Sequence, residues 1–304
     1  MRATLTTTYR SLLANMTQSN TRLEELRLQA ATGKKVSKPS DDPSAIRPML
    51  NARGQIRASD RFLDTMGIAG ERLDVLDTHL ERVESVMVRA KETLVYAGNG
   101  SLSDTDLKTL GDQMQLMKDE LLALANSSVD GKYIFAGYKE DTPPYAYDNQ
   151  VPPQVEFNGD QGKIELEIGP GEKVKVNLTG PELFGNPAPL DPDSLDIWGL
   201  FDDMTAALNS GDSEAALEKM DYLDTAANQI RTQRSQMGNL AQRVDSAKLN
   251  MEDVRIDMEA MLSRYEDADL VETITNMTMQ ETAFKAALDI TSRVSRLSIL
   301  DYMR

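Results

Sequence analysis

The placement of proline constrains this chain more than any other feature of its 304 residues. Pro39, Pro43 and Pro48 form one group, and the other nine prolines lie between residues 143 and 192. Proline lacks a backbone donor and clashes with the preceding turn, so it breaks helix interiors. Residues 49–142 and 193–304 contain no proline, and both stretches therefore permit long helices.

The spacing of apolar residues predicts that these helices form. From Phe62 to Ala97 the apolar or small positions recur in alternating steps of four and three, which is a heptad pattern. Similar stripes run through residues 107–124 and, with two basic interruptions, through residues 220–265. Helices of this length cannot wrap one compact core, so the pattern predicts helices packed along their lengths as a rod.

Both ends of the chain carry an apolar stripe that one helix cannot bury alone. We expect the two terminal helices to pair in antiparallel fashion or to be buried jointly against other copies. Residues 1–40 hold seven basic and two acidic side chains. A basic amphipathic helix could also lie on a membrane, but the narrow, Ser- and Thr-rich apolar face favours packing against protein.

Local signals mark where the predicted helices begin and end. The first helix is expected to end at Thr32-Gly33, where glycine can adopt the left-handed conformation of a C-cap. Asp41 and Asp42 suggest an N-cap before the next helix rather than a metal site. Asn99-Gly100 ends that helix, and Ser103 with Asp106 resembles a capping box.

Residues 141–200 differ from the rest of the chain and predict a small β-rich insertion. They contain nine of the twelve prolines and eleven acidic against three basic residues. Apolar residues alternate with glutamate over 164–168 and with lysine over 173–178, on either side of a Gly-Pro-Gly turn, which predicts a β-hairpin. Residues 133–138 and 154–158 are further strand candidates.

We therefore predict a mainly α fold with a β-rich insertion (α+β), built as a long antiparallel helical coiled-coil or bundle rod with nested domains. Residues 1–40 with 266–304 would form a terminal coiled-coil assembly domain. Residues 41–140 with 201–265 would form a helical rod domain. Residues 141–200 would form a Pro- and Gly-rich outer domain.

Composition argues against several classes of function. The chain has no cysteine and one histidine, so Cys-ligated metal sites and thiolate nucleophiles are excluded. A net charge of −16 disfavours sequence-independent nucleic-acid binding, which depends on Lys and Arg. The sequence contains no run of 18 apolar residues, so we expect no membrane insertion. It also contains no recognisable pair of a nucleophile and a general base. We predict that the chain is not an enzyme and that it has no cofactor, metal or catalytic site.

Four segments of the sequence resemble the flagellin superfamily. In their details they resemble the branch of that superfamily that joins the flagellar hook to the filament. Residues 31–43 (ATGKKVSKPSDDP) resemble the loop between the first two helices of that superfamily. Residues 131–138 (GKYIFAGY) look like a strand of the junction branch, and residues 99–103 (NGSLS) and 298–303 (SILDYM) also fit it. The resemblance covers roughly residues 1–140 and 205–304.

The resemblance implies a structural role. The chain would be exported to the bacterial flagellum, outside the cell, without a cleaved signal peptide and with a flagellar export chaperone. Its partners would be copies of itself in a helical ring, the first hook-associated protein on the hook side and flagellin on the filament side. The alternatives are a flagellin filament subunit or an unrelated secreted coiled-coil scaffold.

The terminal stripes and the loop between the first two helices are the expected assembly surface in this interpretation. The stripes would become buried when copies assemble head to tail. The predicted assembly residues are Leu12, Met16, Leu23, Leu26, Gly33, Pro39, Asp41, Asp42, Phe284, Leu288, Val294 and Leu297.

Overall fold

A computed structural model describes residues 2–148, 154–185 and 196–302. The described chain is mainly helical, with small antiparallel two-stranded sheets in its middle. Its elements are α1 Arg2–Thr32, α2 Pro43–Ala97, α3 Asp104–Ala125, β1 Ser128–Val129, β2 Lys132–Tyr133, β3 Tyr145–Tyr147, β4 Val155–Phe157, β5 Glu165–Gly169, β6 Glu172–Lys175, α4 Gly180–Phe184, α5 Ile197–Asn209, α6 Ser213–Leu217, α7 Met220–Glu266 and α8 Leu270–Tyr302.

The chain divides into two compact units. Residues 1–59 and 253–304 form the terminal unit, and residues 60–252 form the central unit. Helices α2 and α7 each contribute residues to both units. The three domains predicted from the sequence (1–40 with 266–304, 41–140 with 201–265, and 141–200) have different bounds from these two units. That division into three domains stays a prediction.

The heptad stripe of α2 supplies the core of the central unit, as the sequence predicts. Met66, Leu73, Leu80, Met87 and Leu94 are all almost fully buried. They belong to one apolar cluster with inward-facing residues of α3, α5 and α7. Burial of large apolar side chains along a shared seam is the main driving force for such packing.

The predicted hairpin of the insertion is present. Strands β5 and β6 pair antiparallel, with Glu165 opposite Lys175 and Glu167 opposite Lys173. The glutamates therefore face the lysines across the strands, which favours this register. Strand β4 pairs with β3 and confirms the second strand candidate.

The prediction of a strand over residues 133–138 is wrong beyond Tyr133. Gly137 has φ +73°, a left-handed conformation that turns the chain out of the extended form. The Asp160 carboxylate accepts a hydrogen bond from the Tyr138 N–H at 2.7 Å and holds this turn. The segment instead buries Phe135 in the core of the unit.

Aromatic residues gather where the insertion meets the helices. Phe135, Tyr145, Phe184 and Trp198 are buried, and the centroids of the rings in contact lie 5.1–5.7 Å apart. Such edge-to-face and stacked pairs add to the apolar burial. These four rings thus join the segment after β2, strand β3, helix α4 and the start of α5.

Helix-end signals are confirmed at three places. Helix α1 ends at Thr32, followed by Gly33 at φ +71°. The Asp42 carboxylate accepts hydrogen bonds from the backbone N–H groups of Ser44 and Ala45 at the start of α2. Ser103 and Asp106 form a reciprocal capping box at α3.

Candidate assembly surface

The two terminal helices pair in antiparallel fashion within the terminal unit. The Gln280 side chain donates a hydrogen bond to Ser19 Oγ at 2.8 Å, and the Thr291 hydroxyl lies 3.3 Å from Met16 Sδ. Contacts thus move toward the N-terminus of α1 as they move toward the C-terminus of α8. This is one of the two arrangements that the sequence predicts for the terminal stripes.

The predicted stripe residues lie at different depths in this pair. Leu23 and Leu26 are 2% and 5% exposed, so the single chain already buries them. Leu12, Met16 and Phe284 are half-buried, and Leu288 is 44% exposed. On α1 the seam is therefore buried at Leu23 and Leu26 and only partly buried at Leu12 and Met16.

Two further predicted residues, Val294 and Leu297, belong to α8. Their side chains lie outside the described residues.

The loop between α1 and α2 is held by its two aspartates. The Asp41 carboxylate accepts hydrogen bonds from the backbone N–H groups of Lys38 at 2.8 Å and Ser37 at 3.0 Å, and these lower the pKa of Asp41. The Ser44 hydroxyl donates to Asp42 at 2.6 Å, and this bond, with backbone N–H groups, lowers the pKa of Asp42. Pro39 is exposed at the tip of the loop.

The same loop is attached to the junction between α7 and α8. The Lys35 N–H donates to the Glu266 carbonyl at 2.8 Å, and the Ala268 N–H donates to the Gly33 carbonyl at 2.8 Å. The Lys35 ammonium also donates to the Arg264 carbonyl at 2.6 Å. Gly33 and the loop are therefore fixed against the end of α7.

Glu266 is the central residue of this attachment, and sequence reasoning missed it. Its side chain is buried and forms ion pairs with Lys34 and with Arg53, whose Nη2 lies 2.8 Å from the carboxylate. Burial by itself raises the pKa of Glu266, but the hydrogen bonds from Lys34 and Arg53 outweigh this effect and lower the pKa. Its position directly after the apolar stripe of residues 220–265 was the only feature of the sequence that could have drawn attention to Glu266. Nothing in the sequence identified its two partners.

Two other kinds of feature, a metal-binding cluster and a membrane-spanning helix, are absent from the described residues. Within residues 2–148, 154–185 and 196–302, no three His, Asp or Glu side chains are placed to hold a metal ion. None of the described helices carries an apolar stretch long enough to cross a membrane.

Comparison with known proteins gives a consistent identification. The family model of the bacterial flagellin N-terminal helical region matches residues 6–140, and that of the C-terminal helical region matches residues 220–303. The chain is 28% identical to "Flagellar hook-associated protein 3" of Escherichia coli over 96% of both chains. It is 26% identical to the protein of the same name from Salmonella typhimurium over the whole of both chains.

Solved structures share the fold. The flagellar junction protein FlgL from Legionella pneumophila superposes with a TM-score of 0.62 at 18% identity. That match covers 72% of this chain and all of the solved chain. Because the two flagellin models together span most of the sequence, the chain belongs to the flagellin family, whose members are structural proteins of the bacterial flagellum.

Proposed function

We propose that this protein is the hook–filament junction subunit of the flagellum, assembled head to tail in a helical ring. The observation that carries the proposal is the similarity to two hook-associated proteins 3 over nearly the whole chain, including the central insertion. The flagellin of Bacillus subtilis also matches, at 24% identity over 92% of this chain, which is below the identity of both hook-associated proteins.

The charge distribution supports an assembly role for the terminal unit. Residues 60–252 hold 17 basic and 35 acidic side chains, whereas the terminal unit holds 16 and 14. Copies can therefore pack their terminal units together without net repulsion. The acidic surplus of the central unit favours solubility of the free subunit.

In this role the ring joins the first hook-associated protein to flagellin, and the subunit travels with a flagellar export chaperone. The twelve residues predicted above remain the proposed assembly surface. Leu23 and Leu26 would act by holding α1 and α8 together. Leu12, Met16, Phe284 and Leu288 would complete their burial against neighbouring copies.

Deletion tests the role of the terminal helices. Cells that produce the chain without residues 1–40, or without residues 270–304, should grow hooks that carry no filaments. An export control is required, so the secreted chain is measured in the medium. Normal filaments on hooks built with either truncated chain would contradict the proposal.

Immunogold labelling of intact flagella separates the junction role from the main alternative. A junction protein gives one band at the hook–filament boundary, whereas a flagellin subunit is labelled along the filament. Label along the whole filament would contradict the junction role and would show that the protein is a filament subunit.

A further inference from the structure

Helix α2 carries an exposed basic stripe in the terminal unit. Arg47, Leu50 and Arg57 lie on the face opposite the buried Met49 and Ala52. Leu50 is 59% exposed. Neither arginine forms an ion pair or a side-chain hydrogen bond with another described residue.

Helix α7 carries an exposed acidic stripe in the same unit. Asp253, Ile256 and Asp257 face away from Met258 and Leu262, which are half-buried. Ile256 is 55% exposed. Within the described part of the chain, both aspartates are likewise without an ion pair or a side-chain hydrogen bond.

The two stripes cannot meet within one chain. The inner faces of both helices share an apolar cluster in which Leu262 packs against Met49 and its neighbours. The internal charges there are already matched, since Arg53 of α2 pairs with Glu266 of α7. Each stripe lies on the far side of its helix from that cluster, so the stripes face outward in different directions.

Their chemistry is complementary. One stripe offers two arginines beside a leucine, and the other offers two aspartates beside an isoleucine. An exposed aliphatic residue with unpaired charges around it is the arrangement of an interface with an apolar centre and a polar rim. The two parts of the terminal unit show the same separation of charge. Residues 1–59 hold ten basic and four acidic side chains, whereas residues 253–304 hold six basic and ten acidic side chains.

We propose that the basic stripe of one copy docks on the acidic stripe of a second copy of this chain. The inference rests on the proposed function, since it adds to the twelve residues above a second pair of faces through which copies in the ring would touch. The two faces differ, so each added copy leaves one of each kind open, and the contact is heterologous. A contact of this type continues into a ring or helix instead of closing as a symmetric dimer.

The absence of cysteine permits a direct test by crosslinking. Flagellated cells would produce the full-length chain with Leu50→Cys, with Ile256→Cys, or with both, and intact flagella would be oxidised. A disulfide forms only when the two Cα atoms come within about 7 Å. A short bis-maleimide reagent, applied in parallel, allows for a slightly larger separation.

The pattern of products identifies the contact. The doubly substituted chain should give a ladder of oligomers. Cells that make the two singly substituted chains together should give a dimer of one chain of each kind, and each single variant alone should stay monomeric. Dimers of Leu50→Cys alone would indicate a symmetric contact and would overturn the proposal.

Failure of this contact and failure of the junction role are distinguishable. If label still marks the hook–filament boundary and filaments grow, but neither reagent joins the two positions, the docking is wrong and the junction role stands. If label marks the whole filament, the junction role is wrong, whatever the crosslinks show.

Charge reversal gives a second, independent measurement. Arg57→Glu and Asp253→Arg should each weaken self-association of the purified full-length chain by about fivefold in sedimentation, the upper range for one exposed pair. The double variant should recover most of this loss. Arg82→Glu is the matched control, because Arg82 is an exposed arginine of α2 in the central unit.

Circular dichroism would verify that each variant folds, which is expected because all these side chains are exposed. Single reversals that leave self-association unchanged, or a double variant no better than the single ones, would overturn the proposal.

Discussion

At the scale of single residues, Glu266 links the end of α7 to two segments near the start of the sequence. Its carboxylate pairs with Lys34 after α1 and with Arg53 on α2, and its carbonyl accepts the Lys35 N–H. A buried carboxylate with two cations is costly to disturb, because removal of its charge leaves both partners incompletely satisfied. The stability of the loop attachment should therefore depend on this residue.

Substitution of Glu266 tests that dependence. Glu266→Gln keeps the shape of the side chain but removes the charge, and should lower the free energy of unfolding of the terminal unit by about 1–3 kcal/mol. Hydrogen exchange at Val36 and Ala268 would report the change locally. Glu259→Gln is the control, since Glu259 is exposed and pairs with Arg255 at 3.7 Å, and its loss should have almost no effect.

The same residue predicts a pH dependence. The pKa of Glu266 is lowered from its ordinary value of 4.5, so the unfolded chain binds the proton more readily than the folded chain does. The stabilisation is complete above that ordinary value and is lost as the pH falls through the folded-state pKa. Hydrogen exchange should show Glu266→Gln and the original chain converging at acid pH, and a constant difference between them would contradict this assignment.

Gly33 is a residue whose backbone conformation, and not its packing, should decide the effect of substitution. Its φ is +71°, and a Cβ atom there would meet nothing within 4 Å. Gly33→Ala should therefore cost about 1 kcal/mol through the left-handed conformation alone, and Gly33→Asn less, since Asn tolerates that region. Thermal unfolding of both variants would test this order, and equal losses would contradict it.

At the scale of elements, α2 contains two glycines at positions where neither the backbone conformation nor the space for a side chain requires glycine. Gly67 and Gly70 lie inside α2 with ordinary helical geometry, and nothing lies within 4 Å of a Cβ added at either position. Glycine is about 1 kcal/mol less favourable than alanine in a helix interior. These two positions therefore reduce the intrinsic stability of α2.

Replacement of either glycine should stabilise the helix. Gly67→Ala and Gly70→Ala should each raise the free energy of unfolding of the central unit by about 0.5–1 kcal/mol, seen as a higher unfolding temperature. Gly111→Ala in α3 is the contrasting control, because its Cβ would clash with the Asn209 side chain. An equal gain at all three positions would show that side-chain space is not the deciding factor.

At the scale of the whole molecule, the two units differ in how much apolar core holds them. The central unit has one continuous cluster that includes α2, α3, α5, α7 and the aromatic residues of the insertion. The terminal unit has a small cluster around Val36, Ala45 and Met49, besides the buried Leu23 and Leu26 of α1. Segments with few buried apolar contacts open at lower free energy.

Limited proteolysis of the free full-length subunit tests this difference. Cleavage should begin within residues 1–59 and 253–304 and leave a protected fragment close to residues 60–252. Assembly into flagella should suppress the terminal cleavage if copies bury this unit. Initial cleavage inside α3 or α5 would contradict the expected order of stability.

The sequence alone determined the long helices, several of their ends, the hairpin and the acidic insertion, because these depend on residue spacing and on local hydrogen bonds. The alternation around the Gly-Pro-Gly turn is a short-range pattern, and so is the capping box at Ser103. The resemblance of the loop at residues 31–43 also required only consecutive residues.

Only the tertiary structure decided which distant residues meet. The pairing of Glu266 with Lys34 and Arg53, and the aromatic cluster around Trp198, join positions with no shared pattern in the chain. The turn at Gly137 likewise replaced a predicted strand, because the carboxylate of Asp160, 23 residues later, holds it. Local propensity is carried by neighbours in sequence, whereas burial and ion pairing depend on neighbours in space.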